Sequence, residues 1–336
     1  MDVGFTFARQ GGELQVSPVP TSKDRIEQPA LAKDENMYIP PLGSSIVISG
    51  KSGSGKSTLL ANLMTDGRFY GPSPEKPAGW FDKVFLFSPT ANGDDVQRSL
   101  NIPSNHVFTD LDEVPQLLKL ILDTQQSKLD GGNSAHTVQQ FALIFDDVIG
   151  DTRFMNDKAF TRCFYQVRHV NCTTFICTQH FKRVPRVCRM QANFVFFFQG
   201  AAAEVEMVAE EFAPPMYSRK EFQKLVVDAT REPFDFLTIN MKVPWDKRFR
   251  RNLNDFVVLG RLASNKKDVA SKSERTPAEE ATDQNVASHG RVGAGVDGGN
   301  SRQQLSYPNR EVRQRGDTRG GASPANRSRV RYTTGV

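Results

Sequence analysis

Residues 50–57 read Gly-Lys-Ser-Gly-Ser-Gly-Lys-Ser and meet G-x-x-x-x-G-K-[ST] at every fixed position. The apolar run SIVIS ends directly before Gly50, and the helix-forming run STLLANLM starts at Ser57. A strand that feeds a Gly-rich turn and then a helix confines the chain to a narrow set of α/β folds. In such a turn the backbone N–H groups of Gly50, Ser52, Gly53, Ser54 and Gly55 face inward around an anion. The helix N-terminus at Lys56, Ser57 and Thr58 adds its partial positive charge. Lys56 is placed to reach β- and γ-phosphate oxygens, and the Ser57 hydroxyl to take one Mg²⁺ position, so ATP and Mg²⁺ are the expected ligands. The plain alternative is a Gly/Ser loop that holds no ligand.

FALIF, residues 141–145, runs into Asp146 and Asp147. A strand buried on both faces delivers such carboxylates at its C-terminal end, which in an open α/β sheet is the ligand crevice. Asp146 is expected to hold Mg²⁺ through water, and Asp147 to orient and deprotonate an attacking water. Asp is one methylene shorter than Glu at the second position, so either the water sits closer or another residue shares the work. TTFICT, residues 173–178, ends in Gln179, a polar amide set to read the γ-phosphate or that water. Arg168, Arg183, Arg186 and Arg189 surround this strand, and each is a candidate for an arginine offered to a neighbouring subunit.

Further β-rich runs occur at KVFLFS (83–88), ANFVFFF (192–198) and DFLTIN (235–240), with helical patterns between them. LDEVPQLLKLILD is expected to open on a D-x-x-E box at Asp110 and Glu113, and SRKEFQKLVVDAT on a capping box at Ser218 and Glu221. RFMNDKAFTRCFYQV is expected to be helical before the TTFICT strand. Strand and helix alternate, which predicts an α/β P-loop fold with a mainly parallel sheet flanked by helices. Residues 1–40 are polar and Pro-dotted and read as an extended arm, residues 41–260 as the folded domain, and residues 261–336 as a disordered tail.

The formal net charge is +5, yet residues 301–336 alone carry eight arginines against two acids, which leaves the preceding chain close to neutral. That distribution excludes a uniformly basic nucleic-acid coat. No run approaches a membrane span and the start lacks a signal-peptide core, so an intracellular location is expected, which the resemblance described below narrows to the cytoplasm, virus factory or nucleus of a host, or to association with a virion. Four cysteines (163, 172, 177, 188) show no C-x-x-C pair and read as small buried hydrophobes rather than zinc ligands.

The motif order resembles the genome-packaging ATPases of large double-stranded DNA viruses and virophages, within the FtsK–HerA superfamily of P-loop ATPases. Beyond the P-loop and the Asp pair, the resemblance rests on Arg168, His169, Gln179, Phe181, Pro185, Arg189 and Asn193, and it spans residues 40–255. It implies an ASCE-type sheet with an extra strand between the P-loop strand and the FALIF strand, for which KVFLFS is the candidate. It implies a homo-oligomeric ring that threads double-stranded DNA into a capsid, with capsid proteins as partners. It also implies an arginine acting in trans, for which Arg168 matches best by position and Arg189 next. Two basic clusters could grip DNA: Lys182, Arg183, Arg186 and Arg189, and Lys242, Lys247, Arg248, Arg250 and Arg251 around Trp245. Two rival readings fit parts of the sequence. A GTPase would use D-x-x-G at 147–150 and N-K-x-D at 265–268. A nucleic-acid-binding protein would act mainly through the Arg-rich tail.

Overall fold

The computed structural model describes residues 26–91 and 99–258, which fall within a compact unit spanning residues 1–276. The expected disordered tail, its arginines and the N-K-x-D match lie outside the described residues. So does most of the arm.

The strands are β1 (Ser45–Ser49), β2 (Lys83–Phe87), β3 (Val107–Phe108), β4 (Phe141–Asp146), β5 (Cys172–Thr178), β6 (Phe194–Phe198), β7 (Phe236–Asn240), β8 (Phe249–Arg251) and β9 (Asp255–Phe256). Among the described residues they form one sheet in the order β3-β2-β4-β5-β1-β6-β7-β8-β9. From β3 to β6 every pairing is parallel, and from β6 to β9 every pairing is antiparallel. This is the mainly parallel α/β sheet predicted. The strand between β1 and β4 is β5, however, so the TTFICT run fills the extra position, and KVFLFS lies outboard of β4. Both runs are apolar and β-branched or aromatic, so nothing local distinguishes an inner strand from an outer one.

The helices are α1 (Ala30–Lys33), α2 (Lys56–Thr65), α3 (Val114–Asp130), α4 (Thr152–Met155), α5 (Lys158–Tyr165), α6 (Arg186–Gln191), α7 (Ala202–Phe212) and α8 (Arg219–Ala229). Alternate residues of the central strands enter two cores. Val47, Leu143 and Phe145 pack with Leu118, Phe160, Val208 and Val226 on one face. Ile46, Ile48 and Ile144 pack with Leu60, Leu63 and Tyr70 on the other. Burial on both faces is why these strands read as continuous apolar runs.

The Ser218–Glu221 capping box forms as predicted. At the other expected box, Asp110 instead accepts from the Asp112 backbone N–H, and α3 starts at Val114 with no side-chain cap. The RFMNDKAFTRCFYQV run divides into α4 and α5, because Asp151 and Asp157 each cap a helix of their own. Residues 26–40 differ from an extended arm: they carry α1, and Ala32 and Ile39 are buried in the second core. Arg250, on β8, holds this segment. It is fully buried, donates to the Asn36, Met37 and Leu253 carbonyls, and lies 4.7 Å from the Phe256 ring centroid.

Candidate nucleotide site

The loop between β1 and α2 sits at the C-terminal edge of the parallel strands. Gly50 donates to Thr178 O on β5 at 3.1 Å, and Lys51 to Gln199 O beyond β6 at 3.1 Å, so both neighbours of β1 anchor the turn. A Cβ on Gly50 would stand 2.5 Å from Phe198 Cβ, a distance no side chain tolerates. Gly55, the N-cap of α2, has φ +104°, a conformation that favours glycine. Lys56 is buried and donates from Nζ across the loop to Lys51 O at 3.0 Å. Burial lowers its pKa from the ordinary lysine value, and the Asp147 and Asp146 carboxylates oppose that shift. Ser54 Oγ is buried without a hydrogen-bond partner.

Asp146 closes β4 opposite Cys177 of β5, one position from Thr178, which pairs with Ser49 of β1. The register therefore brings the Asp pair, Gln179 and the P-loop to one edge, although they lie far apart in the chain. Asp147 follows with φ +51°, a left-handed conformation that Asp tolerates, and its N–H donates to Cys177 O at 3.3 Å. The Gln179 amide lies 3.4 Å from Asp147 Oδ2 and 3.5 Å from Oδ1. A cleft of about 580 Å³ opens beside Asp147, with Asp110, Asp112, Asp151, Pro89 and Thr109 in its walls.

The arginines divide. Arg168 is exposed and donates to His169 Nε2 at 2.9 Å, and its Cα stands 3.2 Å from where a Gly43 Cβ would lie. Gly43 precedes β1 and Gly50 follows it, seven residues on, so Arg168 is a strand length of about 20 Å from the P-loop of its own chain. Arg189 is buried and paired with Glu211 at 2.6 Å; it also donates to the Lys182 and Val184 carbonyls. It ties α6 and the preceding turn to α7, so it is not available as a reserve trans arginine. Arg183 and Arg186 are exposed, as is Lys182, and the first basic cluster retains these three.

The second basic cluster is largely consumed by structure. Arg248 lies 3.6 Å from the Trp245 ring centroid, Lys247 pairs with Glu35 at 3.2 Å, Arg251 pairs with Asp255 at 3.1 Å, and Arg250 is buried. The four cysteines are buried free thiols, and burial pushes each thiol up, Cys188 to about 12.

The residues present fit the ligands expected of this site. A Gly-rich loop around a helix N-terminus, with one buried ammonium and an orphaned hydroxyl, fits phosphate oxygens. Ser57 and Asp146 are hard oxygen donors. Among the described residues no three His, Cys, Asp or Glu side chains gather as a metal cage. Mg²⁺ requires no such cage, because it keeps waters and binds through one or two carboxylates plus substrate phosphates. Also among the described residues, no helix is long and apolar enough to cross a membrane. One residue of this edge that sequence reasoning missed is Phe234, which belongs to no motif and announces itself only by its position.

Comparison with known proteins adds a family. Uncharacterized protein 088R of Invertebrate iridescent virus 3 is 26% identical over 191 residues, 56% of this chain and 67% of that protein. The genome packaging NTPase B204 of Sulfolobus turreted icosahedral virus 2, solved with AMP, aligns at 13% identity with a TM-score of 0.43, covering 64% of this chain and 98% of B204. EssC (ATPases 2 and 3) from Geobacillus thermodenitrificans aligns at 12% identity and a TM-score of 0.42, covering 68% of this chain and 43% of that one. Residues 42–227, more than half of the sequence, match the family described as Poxvirus A32 protein. The chain belongs to the poxvirus A32 protein family, the packaging-ATPase family that its motif order resembles.

Proposed function

We propose that the protein is an ATP-driven translocase that packages viral double-stranded DNA into capsids, hydrolysing ATP at the edge where β1, β5 and β4 end. The observation that carries this reading is the convergence of the P-loop, the Asp146–Asp147 pair and Gln179 on that one edge, with Gln179 in contact with Asp147.

The loop amides and Lys56 hold the β- and γ-phosphates and neutralise charge that builds as the γ-phosphoryl leaves. Ser57 and Asp146 would hold Mg²⁺, which supplies further neutralisation of the phosphate oxygens. Asp147 orients the attacking water and accepts its proton. Gln179, hydrogen-bonded to Asp147, fixes that carboxylate and senses the γ-phosphate, so the shorter Asp shares its work with a second residue.

Arg168 cannot reach its own P-loop, so any catalytic role for it is in trans, within a ring of subunits. The acidic cleft beside Asp147 offers a seat for a guanidinium from a neighbour. DNA is gripped by a few cations per subunit summed over the ring, with Lys182, Arg183 and Arg186 as the exposed candidates. The decisive experiment replaces the gene in the virus with a Lys56→Ala copy. Empty particles are expected; particles filled normally would overturn the packaging role.

A further inference from the structure

Asp147 and Gln179 lie on the β5–β4 side of β1. A nucleotide whose γ-phosphate faces them must extend its nucleoside toward the other side, where β6 and β7 stand. β7 runs antiparallel to β6, with Phe236 opposite Phe198, so the residues just before β7 rise past the same edge as the P-loop. Phe234 stands there. It is 68% exposed, although it is a large apolar ring at a folded turn. Its backbone is held at φ +69°, a conformation that is strained for a bulky side chain. Its Cδ1 lies 3.2 Å from where a Gly55 Cβ would be, so the ring borders the P-loop directly, beside Phe198 Cε1 at 3.3 Å from the same point. Phe198 is buried and packed against Phe236, with ring centroids 4.9 Å apart and planes tilted by 43°, which gives the exposed ring a rigid base.

Strain in a bulky residue at a ligand edge, combined with exposure of the ring, has no account in packing. We propose that Phe234 is the platform on which the nucleotide base stacks, an inference that rests on the phosphate site proposed above. A phenyl face has no hydrogen-bonding group, and every base has a π-face, so Phe234 adds affinity for purine nucleotides without choosing adenine over guanine.

The test compares wild type, Phe234→Ala, Phe234→Trp and Phe234→Gly for binding of ATP, GTP and inorganic tripolyphosphate. The alanine variant is expected to bind both ATP and GTP about 10-fold more weakly, with tripolyphosphate affinity within about 2-fold of wild type. The tryptophan variant is expected to recover nucleotide affinity, and its indole fluorescence to respond to ATP but not to tripolyphosphate. The glycine variant is expected to lose nucleotide affinity without a lower melting temperature, since glycine accepts the positive φ. An equal fall for ATP and tripolyphosphate would make Phe234 a prop for the loop, and unchanged ATP affinity in the alanine variant would also overturn the proposal. Failure of the phosphate site reads differently: wild type would then bind neither ATP nor tripolyphosphate, and both readings would fall.

Discussion

Gln179 Nε2 lies 3.4 Å from Asp147 Oδ2, a contact between residues 32 positions apart that adjacent strands bring to the same height. On the proposed function the contact couples a proton acceptor to an amide that feels the γ-phosphate, and that reading separates two mutational phenotypes. Asp147→Asn keeps the shape but cannot accept a proton, so ATP binding should persist while hydrolysis is lost. Gln179→Ala should leave ATP affinity within about 3-fold and slow kcat, because its interaction strengthens as the transition state forms. Equilibrium binding and single-turnover hydrolysis measure both, and a parallel fall in affinity and rate for either variant would count against its role.

In the proposed mechanism Lys56 and Asp146 act on charge at the phosphates. Lys56→Ala and Asp146→Ala should each reduce kcat by at least about 100-fold. Steady-state ATPase assays on folded variants check this, and undiminished turnover in Lys56→Ala would remove the site assignment.

Arg168 can serve catalysis only from a neighbouring subunit, so its effect depends on assembly. An arginine supplied in trans contributes about 10³-fold or more in kcat. Specific activity should therefore rise with protein concentration. Mixed rings of Arg168→Ala and Lys56→Ala subunits should regain activity that each lacks alone. If the two co-assemble and stay inactive, Arg168 has no trans role.

The buried Arg189–Glu211 pair should matter for stability rather than chemistry. Removing one partner leaves an uncompensated buried charge, and Arg189→Ala should cost about 3–5 kcal/mol in urea unfolding. Replacing both with apolar residues of similar volume should cost less. A wild-type unfolding midpoint in Arg189→Ala would refute this account.

The buried thiols make stability fall in alkali. An unfolded cysteine ionises near pH 8.5, while in the folded chain all four thiols are pushed up. Above that pH the unfolded state releases protons that the native state keeps, so this contribution is full below about pH 8.5 and is lost as pH rises toward about 12. The urea midpoint should drop between about pH 8 and pH 10, and thiolate absorbance should appear together with unfolding. Thiolate absorbance in the native protein would contradict the burial.

That the Gly-rich loop, the Asp pair and Gln179 meet at one edge was legible in the sequence because each sits at the end of an apolar strand, and strand ends are where local pattern and position in the sheet coincide. The α/β class followed from the same periodicity. Neither the strand order nor the fate of the arginines was legible. KVFLFS and TTFICT have the same apolar character, and only the pairing of β5 with both β1 and β4 decides which is central. Arg168, Arg189 and Arg250 are identical as letters, yet one is exposed at the far end of the sheet, one is buried against Glu211 and one clamps residues 36 and 37. Short β8 reads as basic because its Arg250 is a charged letter, yet Arg250 is buried there against the Phe256 ring of β9 and the Tyr38 ring, and the Tyr38 contact spans the chain. Sequence determines what a residue is able to do within its own turn or strand. Burial, charge pairing and distance to the Gly-rich loop arise from contacts between segments far apart in the chain, and so only the tertiary structure decided them.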